Sequence, residues 1–226
     1  MLKNNIIKYI IILKEVGVVN RVELKEKAKK MIVGNKWYIW KPIFLFSLIV
    51  GLISGALLSI IGAFGMSQTA TSLVSLIVTI PCAIIESAFM VGYAKYLIDF
   101  VHDKKVDWKE PIKFVKEHWV ICFLVGLVVA LIIAIGTILL IVPGIIAALG
   151  LIFYLFVCAE NPKLSTTEIL KKSWDVTNGH KGEIFVLILS FIGWELLACL
   201  TLGILYIWLY PYMIITFTLA YEELKK

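Results

Sequence analysis

The chain has 226 residues, of which 61% are hydrophobic and only 17% charged, with a mean hydropathy of +0.94. A soluble domain carries nearer a quarter charged residues and about half apolar ones, so this surplus excludes an ordinary soluble fold and implies an all-α polytopic membrane protein. The net charge of +6 calls for no nucleic acid, because the lysines lie between apolar runs and suit an anionic membrane face.

In chain order, residues 1–19 read as an N-terminal extension. Its apolar run, Ile6 to Leu13, is too short and too interrupted by Lys8 for a signal segment. At 20–23 the quartet NRVE opens with a side chain that can cap backbone N–H groups and closes with an acid that can reach back. Leu24, Ala28 and Met31 follow at helical spacing, which predicts a lysine-rich helix lying in the membrane interface. Apolar spans are predicted over 42–62 and 73–97, joined by an uncharged turn near 65–71. The capping spacing recurs as DWKE at 107–110, followed by Trp108, Ile112, Val115 and Trp119. It recurs again as STTE at 165–168, followed by Leu170 and Trp174.

The run from Trp119 to Ala159 is uncharged and, as one helix, would be about twice the thickness of a ~30 Å hydrocarbon core. It must fold back, and Pro143-Gly144 is its strong breaker, giving spans over 119–142 and 144–159. Spans over 184–202 and 204–221 turn near 201–203. The pattern is three repeats of interfacial helix, span, tight turn and span. It predicts six transmembrane helices as three helical hairpins, with amphipathic helices on the cytoplasmic side, in one domain covering 20–226.

Charge sets the orientation. Of 22 Lys+Arg, ten lie in residues 1–41, six in 95–116, four in 163–181 and two at the C-terminus, leaving none for the three short turns. Positive charge stays cytoplasmic, so both termini and both long loops are expected inside. Along the first span Ser47, Gly51, Gly55 and Ser59 recur every fourth residue, and Gly126, Ala130 and Ala134 do so along the third. Small residues at this spacing let helices approach closely, chiefly within the chain and secondarily in a homo-oligomer.

The polar residues divide into two candidate sites. Glu86 and Glu195 are the two acids inside apolar spans, each 11 residues from its inner boundary, or about 17 Å at 1.5 Å per residue. Their matched depth suggests a carboxyl pair across the second and fifth spans, sharing a proton or a cation. The bland alternative is a protonated side chain hydrogen-bonded to a hydroxyl. His102, His118 and His180, single histidines beside lysines, read first as interfacial residues, and the sharper alternative joins Lys36, Lys172, His180 and Lys181 into a candidate patch for lipid phosphate. Cys82, Cys122, Cys158 and Cys199 lie in separate apolar runs with no CxxC, so they read as small hydrophobes and no metal is expected. No HExxH, GxSxG, P-loop or dinucleotide turn occurs, so neither an enzyme nor a cofactor is expected.

From Asn178 the text runs NGHKGEIFVLILSFIGWELLACLTLGILYIWLYPYMIITFTLAYEEL, with NRVELKEKAKK near the start and VPGI at 142–145. These pieces resemble the bacterial membrane family called domain of unknown function 975, across about 20–224. More distantly, they are similar to the membrane region of some bacterial glycerophosphodiester phosphodiesterases. The resemblance implies a multi-pass helical membrane protein with no established activity and no catalytic residues to carry over. Members begin near Asn20, so residues 1–19 depart from the pattern. The expectation is a non-enzymatic protein of the bacterial cytoplasmic membrane, acting at its inner face through anionic lipid head groups or a protein partner. The alternative is a small transporter or ion-coupled carrier using Glu86 and Glu195.

Overall fold

A computed structural model describes residues 20–64 and 68–226; the N-terminal extension and residues 65–67 of the first predicted turn lie outside the described residues. Those described form helices α1 (Arg21–Ile32), α2 (Lys36–Ala63), α3 (Gln68–Val101), α4 (Glu110–Leu139) and α5 (Ile141–Leu151). After them come α6 (Tyr154–Glu160), α7 (Thr166–Thr177), α8 (Lys181–Leu200) and α9 (Tyr206–Leu224), with no strand among the described residues.

Among the described residues, five stretches are long and apolar enough to cross a membrane: Lys36–Ala63, Thr69–Val101, Glu110–Ile138, Ile141–Glu160 and Lys181–Leu200. They correspond to the first five predicted spans. The sixth segment is helical, as α9, but is not one of the five. Tyr206, Tyr210, Tyr212 and Tyr221, with Glu222 and Glu223, reduce its hydropathy. Many of its apolar residues pack against protein instead, with Leu209, Ile215 and Ala220 fully buried and Ile207 exposed.

The break in the uncharged run lies earlier than Pro143-Gly144. Helix α4 ends at Leu139, and Leu140 is extended (φ −160°, ψ 140°). Pro143 then falls in the first turn of α5, where its missing N–H removes no intrahelical bond. Gly144 makes the reversal tight, since a Cβ there would lie 2.9 Å from Thr137 Cα on the facing helix. The turn at 201–203 occurs where expected. Leu202 and Gly203 take positive φ (50° and 85°), and the Gly203 N–H donates to the Ala198 carbonyl at 2.8 Å. This is the reach that satisfies a helix's last carbonyls.

The described chain divides into two compact units. One contains residues 20–36, 133–154 and 170–226. Within it α8 and α9 run antiparallel, joined by a chain of rings: Trp194–Trp208 (5.6 Å), Trp208–Tyr212 (4.9 Å) and Tyr212–Phe191 (5.3 Å). Helix α1 packs against α9 through buried Leu24, Ala28 and Ile32.

The other unit contains residues 37–132 and 155–169. There α2 and α3 run antiparallel. Tyr93 Oη donates to the Ile39 carbonyl and Tyr96 Oη to the Tyr38 carbonyl, both at 2.8 Å, and Phe46 stacks on Phe89 at 3.7 Å. Gly92 and Gly126 let α3 meet α4: a Cβ on Gly92 would strike the Pro111 carbonyl, and one on Gly126 would lie 3.1 Å from Ser87 Oγ.

Of the two small-residue stripes, only Gly126 is used this way. Ser47, Gly51, Gly55 and Ser59 are not buried, and a Cβ on Gly51 or Gly55 meets no described atom within 4 Å. Ala130 and Ala134 are exposed as well. Close packing of the α2 stripe within the chain is therefore not what the structure shows.

Candidate functional site

The predicted repeat has a structural counterpart in α1 and α7. Asn20 Oδ1 accepts from the N–H groups of Val22 and Glu23 at 3.2 and 3.4 Å. Ser165 and Glu168 make the full reciprocal box: Glu168 Oε2 accepts from the Ser165 N–H at 2.8 Å, and Ser165 Oγ from the Glu168 N–H at 3.4 Å. Counted from the cap, both 12-residue helices bury the same three positions. These are Leu24, Ala28 and Ile32 in α1 and Ile169, Ser173 and Thr177 in α7. Each then turns on a glycine with positive φ, Gly34 (80°) or Gly179 (81°), and a lysine two residues on, Lys36 or Lys181, opens the next helix. The middle copy differs. Asp107 caps Lys109 N–H (3.2 Å), but α4 continues through a kink at His118 (φ −129°, ψ 24°) with no glycine joint.

The inward face of α7 is one residue away from the predicted Leu170 and Trp174. Ser173 and Thr177 turn inward because both hydroxyls donate to the Gly150 carbonyl, at 3.3 and 3.1 Å. That carbonyl lies in the last turn of α5, where no intrahelical partner is available. Trp174 instead lies half outside, under Lys181 Nζ at 4.0 Å from its ring, a cation–π contact.

Of the predicted phosphate patch, His180 and Lys181 are half-buried neighbours at the α7–α8 joint, and His180 Nδ1 lies 3.2 Å from Glu183 Oε2. Lys172 is exposed on α7, and Lys36 is exposed at the matching α1–α2 joint.

The two acids lie in different units. Glu86 is exposed on α3. Glu195, half-buried on α8, accepts a hydrogen bond from Tyr206 Oη across the α8–α9 turn. Glu195 thus has the hydroxyl partner of the bland alternative.

Two contacts escaped the sequence reading. Lys25 Nζ donates to the Ser190 carbonyl at 3.1 Å and lies 3.9 Å from the Phe191 ring. Burial holds its pKa below the ordinary 10.5, and the neighbouring charges of Arg21 and Lys29 add to this. Its place beside Leu24 on the buried flank was the available signal. Cys122 and Cys158, both fully buried, are neighbours. They lie on opposite arms of the folded-back run, so the position of its break would have paired them. Among the described residues no group of three or more His, Cys, Asp or Glu side chains could hold a metal ion.

Residues 126–226 match the family described as Protein of unknown function (DUF975). The match covers a little under half of the chain and marks a similarity to that family over this region. The DUF975 region begins at Gly126 within α4 and takes in α5 through α9, hence the α7–α8 joint and the Glu195–Tyr206 bond. Helices α1 to α3 precede it. No curated protein and no solved structure was found to match the chain.

Proposed function

We propose that this chain is a non-enzymatic, multi-pass protein of the cytoplasmic membrane that acts by binding anionic lipid head groups at its inner face. In this reading α9 is a sixth span, shielded from lipid by its neighbours, and both termini lie inside. The α1 and α7 helices seat at the inner interface, anchored by one buried face and turning their lysines to phosphate.

The observation that carries the proposal is the shared build of those helices: one cap, one buried register and one Gly-x-Lys joint, twice. Lys29, Lys30, Lys171 and Lys172 are exposed on them. Each lysine near an anionic surface adds about 1 kcal/mol of attraction.

The test is thermal unfolding of the full-length protein in nanodiscs. Phosphatidylglycerol should raise Tm relative to phosphatidylcholine. The gain should shrink at roughly 1 M salt, where the screening length is about 3 Å, and in Lys172→Gln/Lys181→Gln. Equal stability in the two lipids would contradict it. Proton-driven uptake by proteoliposomes, lost in Glu195→Gln, would favour the carrier reading.

A further inference from the structure

A groove of about 360 Å³ runs along the turn before α4 and its first two turns, lined by Trp108, Lys109, Ile112, Lys113 and Lys116. None of these residues belonged to the predicted lipid patch. Lys109, Lys113 and Lys116 recur at helical spacing on one flank and are exposed, while Trp108 and Ile112, four residues apart, form the apolar floor. A fourth lysine arrives from another helix: Lys41 Nζ of α2 lies 5.2 Å from the Trp108 ring and Lys109 Nζ 5.4 Å from it.

The position of the groove is as informative as its lining. Lys41 is the last charged residue before the uncharged remainder of α2, and Glu117 is the last before the uncharged remainder of α4. Lys41 Nζ lies over the Trp108 ring, so within this unit the charged end of α2 comes level with the start of α4, whose charged first turns run on to Glu117. Immediately beyond, α4 bends at His118 and presents Trp119, 61% exposed. Tryptophan at such a boundary is where an apolar ring and a polar rim are both solvated.

We infer that this groove is a binding site for one anionic phospholipid. The phosphate sits among Lys41, Lys109, Lys113 and Lys116, and the upper acyl chain lies along Trp108 and Ile112. Four ammonium groups around an apolar floor complement a ligand with a negative head and a hydrocarbon tail, which a free phosphate ion lacks. The inference deepens the lipid-binding reading and names a different site for it.

The probe is phosphatidylglycerol with brominated acyl chains, compared with brominated phosphatidylcholine, in nanodiscs of the full-length protein. The Trp108 signal is the difference in fluorescence between the wild type and Trp108→Phe. Phosphatidylglycerol should quench that signal at a mole fraction at least about fivefold lower than phosphatidylcholine does, the discrimination of roughly one lysine near the surface. Lys109→Gln/Lys113→Gln/Lys116→Gln should remove the preference, and the matching triple arginine variant should keep it. Equal quenching by both lipids overturns the site. So does a preference unchanged in the triple glutamine variant. If thermal stability still favours phosphatidylglycerol while Trp108 shows no preference, this groove is wrong and the broader reading survives. The far-UV spectrum of each variant confirms that α4 is intact.

Discussion

Gly150 shows how one residue's lack of a side chain organises a unit. A Cβ there would overlap the Trp174 indole, and the closeness it permits brings Ser173 and Thr177 to its carbonyl. Forcing a methyl into such a contact typically costs about 1–3 kcal/mol, so Gly150→Ala should lower Tm clearly. Gly55→Ala should not, because a Cβ there meets no described atom within 4 Å and alanine favours the helix. Comparing the two melts in one detergent tests the assignment. Lys25 offers a second test. Its depressed pKa means that the folded state binds fewer protons than the unfolded state between that pKa and 10.5. Stability should therefore rise with pH through that window. Lys25→Met should lack this component, read as a flatter Tm-versus-pH profile above neutrality. An identical profile would show that burial does not perturb Lys25. Gly150 did not announce itself in the sequence, because a lone glycine looks alike in loops, interfaces and cores, and Lys25 did so only through its place beside Leu24.

At the scale of elements, the STTE cap was legible because its chemistry is local: the hydroxyl and the acid reach only across one turn. Ser165→Ala should destabilise by about 1 kcal/mol, with Thr177, outside the box, still bonded to Gly150. A circular dichroism melt with no shift would contradict the cap's contribution. The five apolar stretches were legible too, since length and hydropathy are sums over many residues and tolerate local error. What the sequence hid was set by tertiary partners. The inward face of α7 carries a serine and a threonine, polar residues that periodicity assigns outward, and only the Gly150 carbonyl explains them. The hairpin break was misplaced by three residues because proline both breaks helices and begins them. The α2 stripe of small residues fitted a packing motif, yet remains outside on the isolated chain.

For the molecule as a whole, composition gave the solvent and charge clustering gave the expected sidedness, but α9 shows the limit of hydropathy. A helix packed against others can carry tyrosines such as the buried Tyr212 and Tyr221, so its role depends on its neighbours. The proposed function has α9 cross the membrane and return the C-terminus to the side of the lysine-rich helices. Alkaline phosphatase, active only outside the cytoplasm, tests this directly when fused after Leu202 and, separately, after Lys226. The fusion after Leu202 should be active and the one after Lys226 inactive, with a fluorescent protein at Lys226 glowing. An active phosphatase at Lys226 would place the C-terminus outside, leave α9 short of a full crossing, and contradict the six-span arrangement on which the lipid-binding face depends.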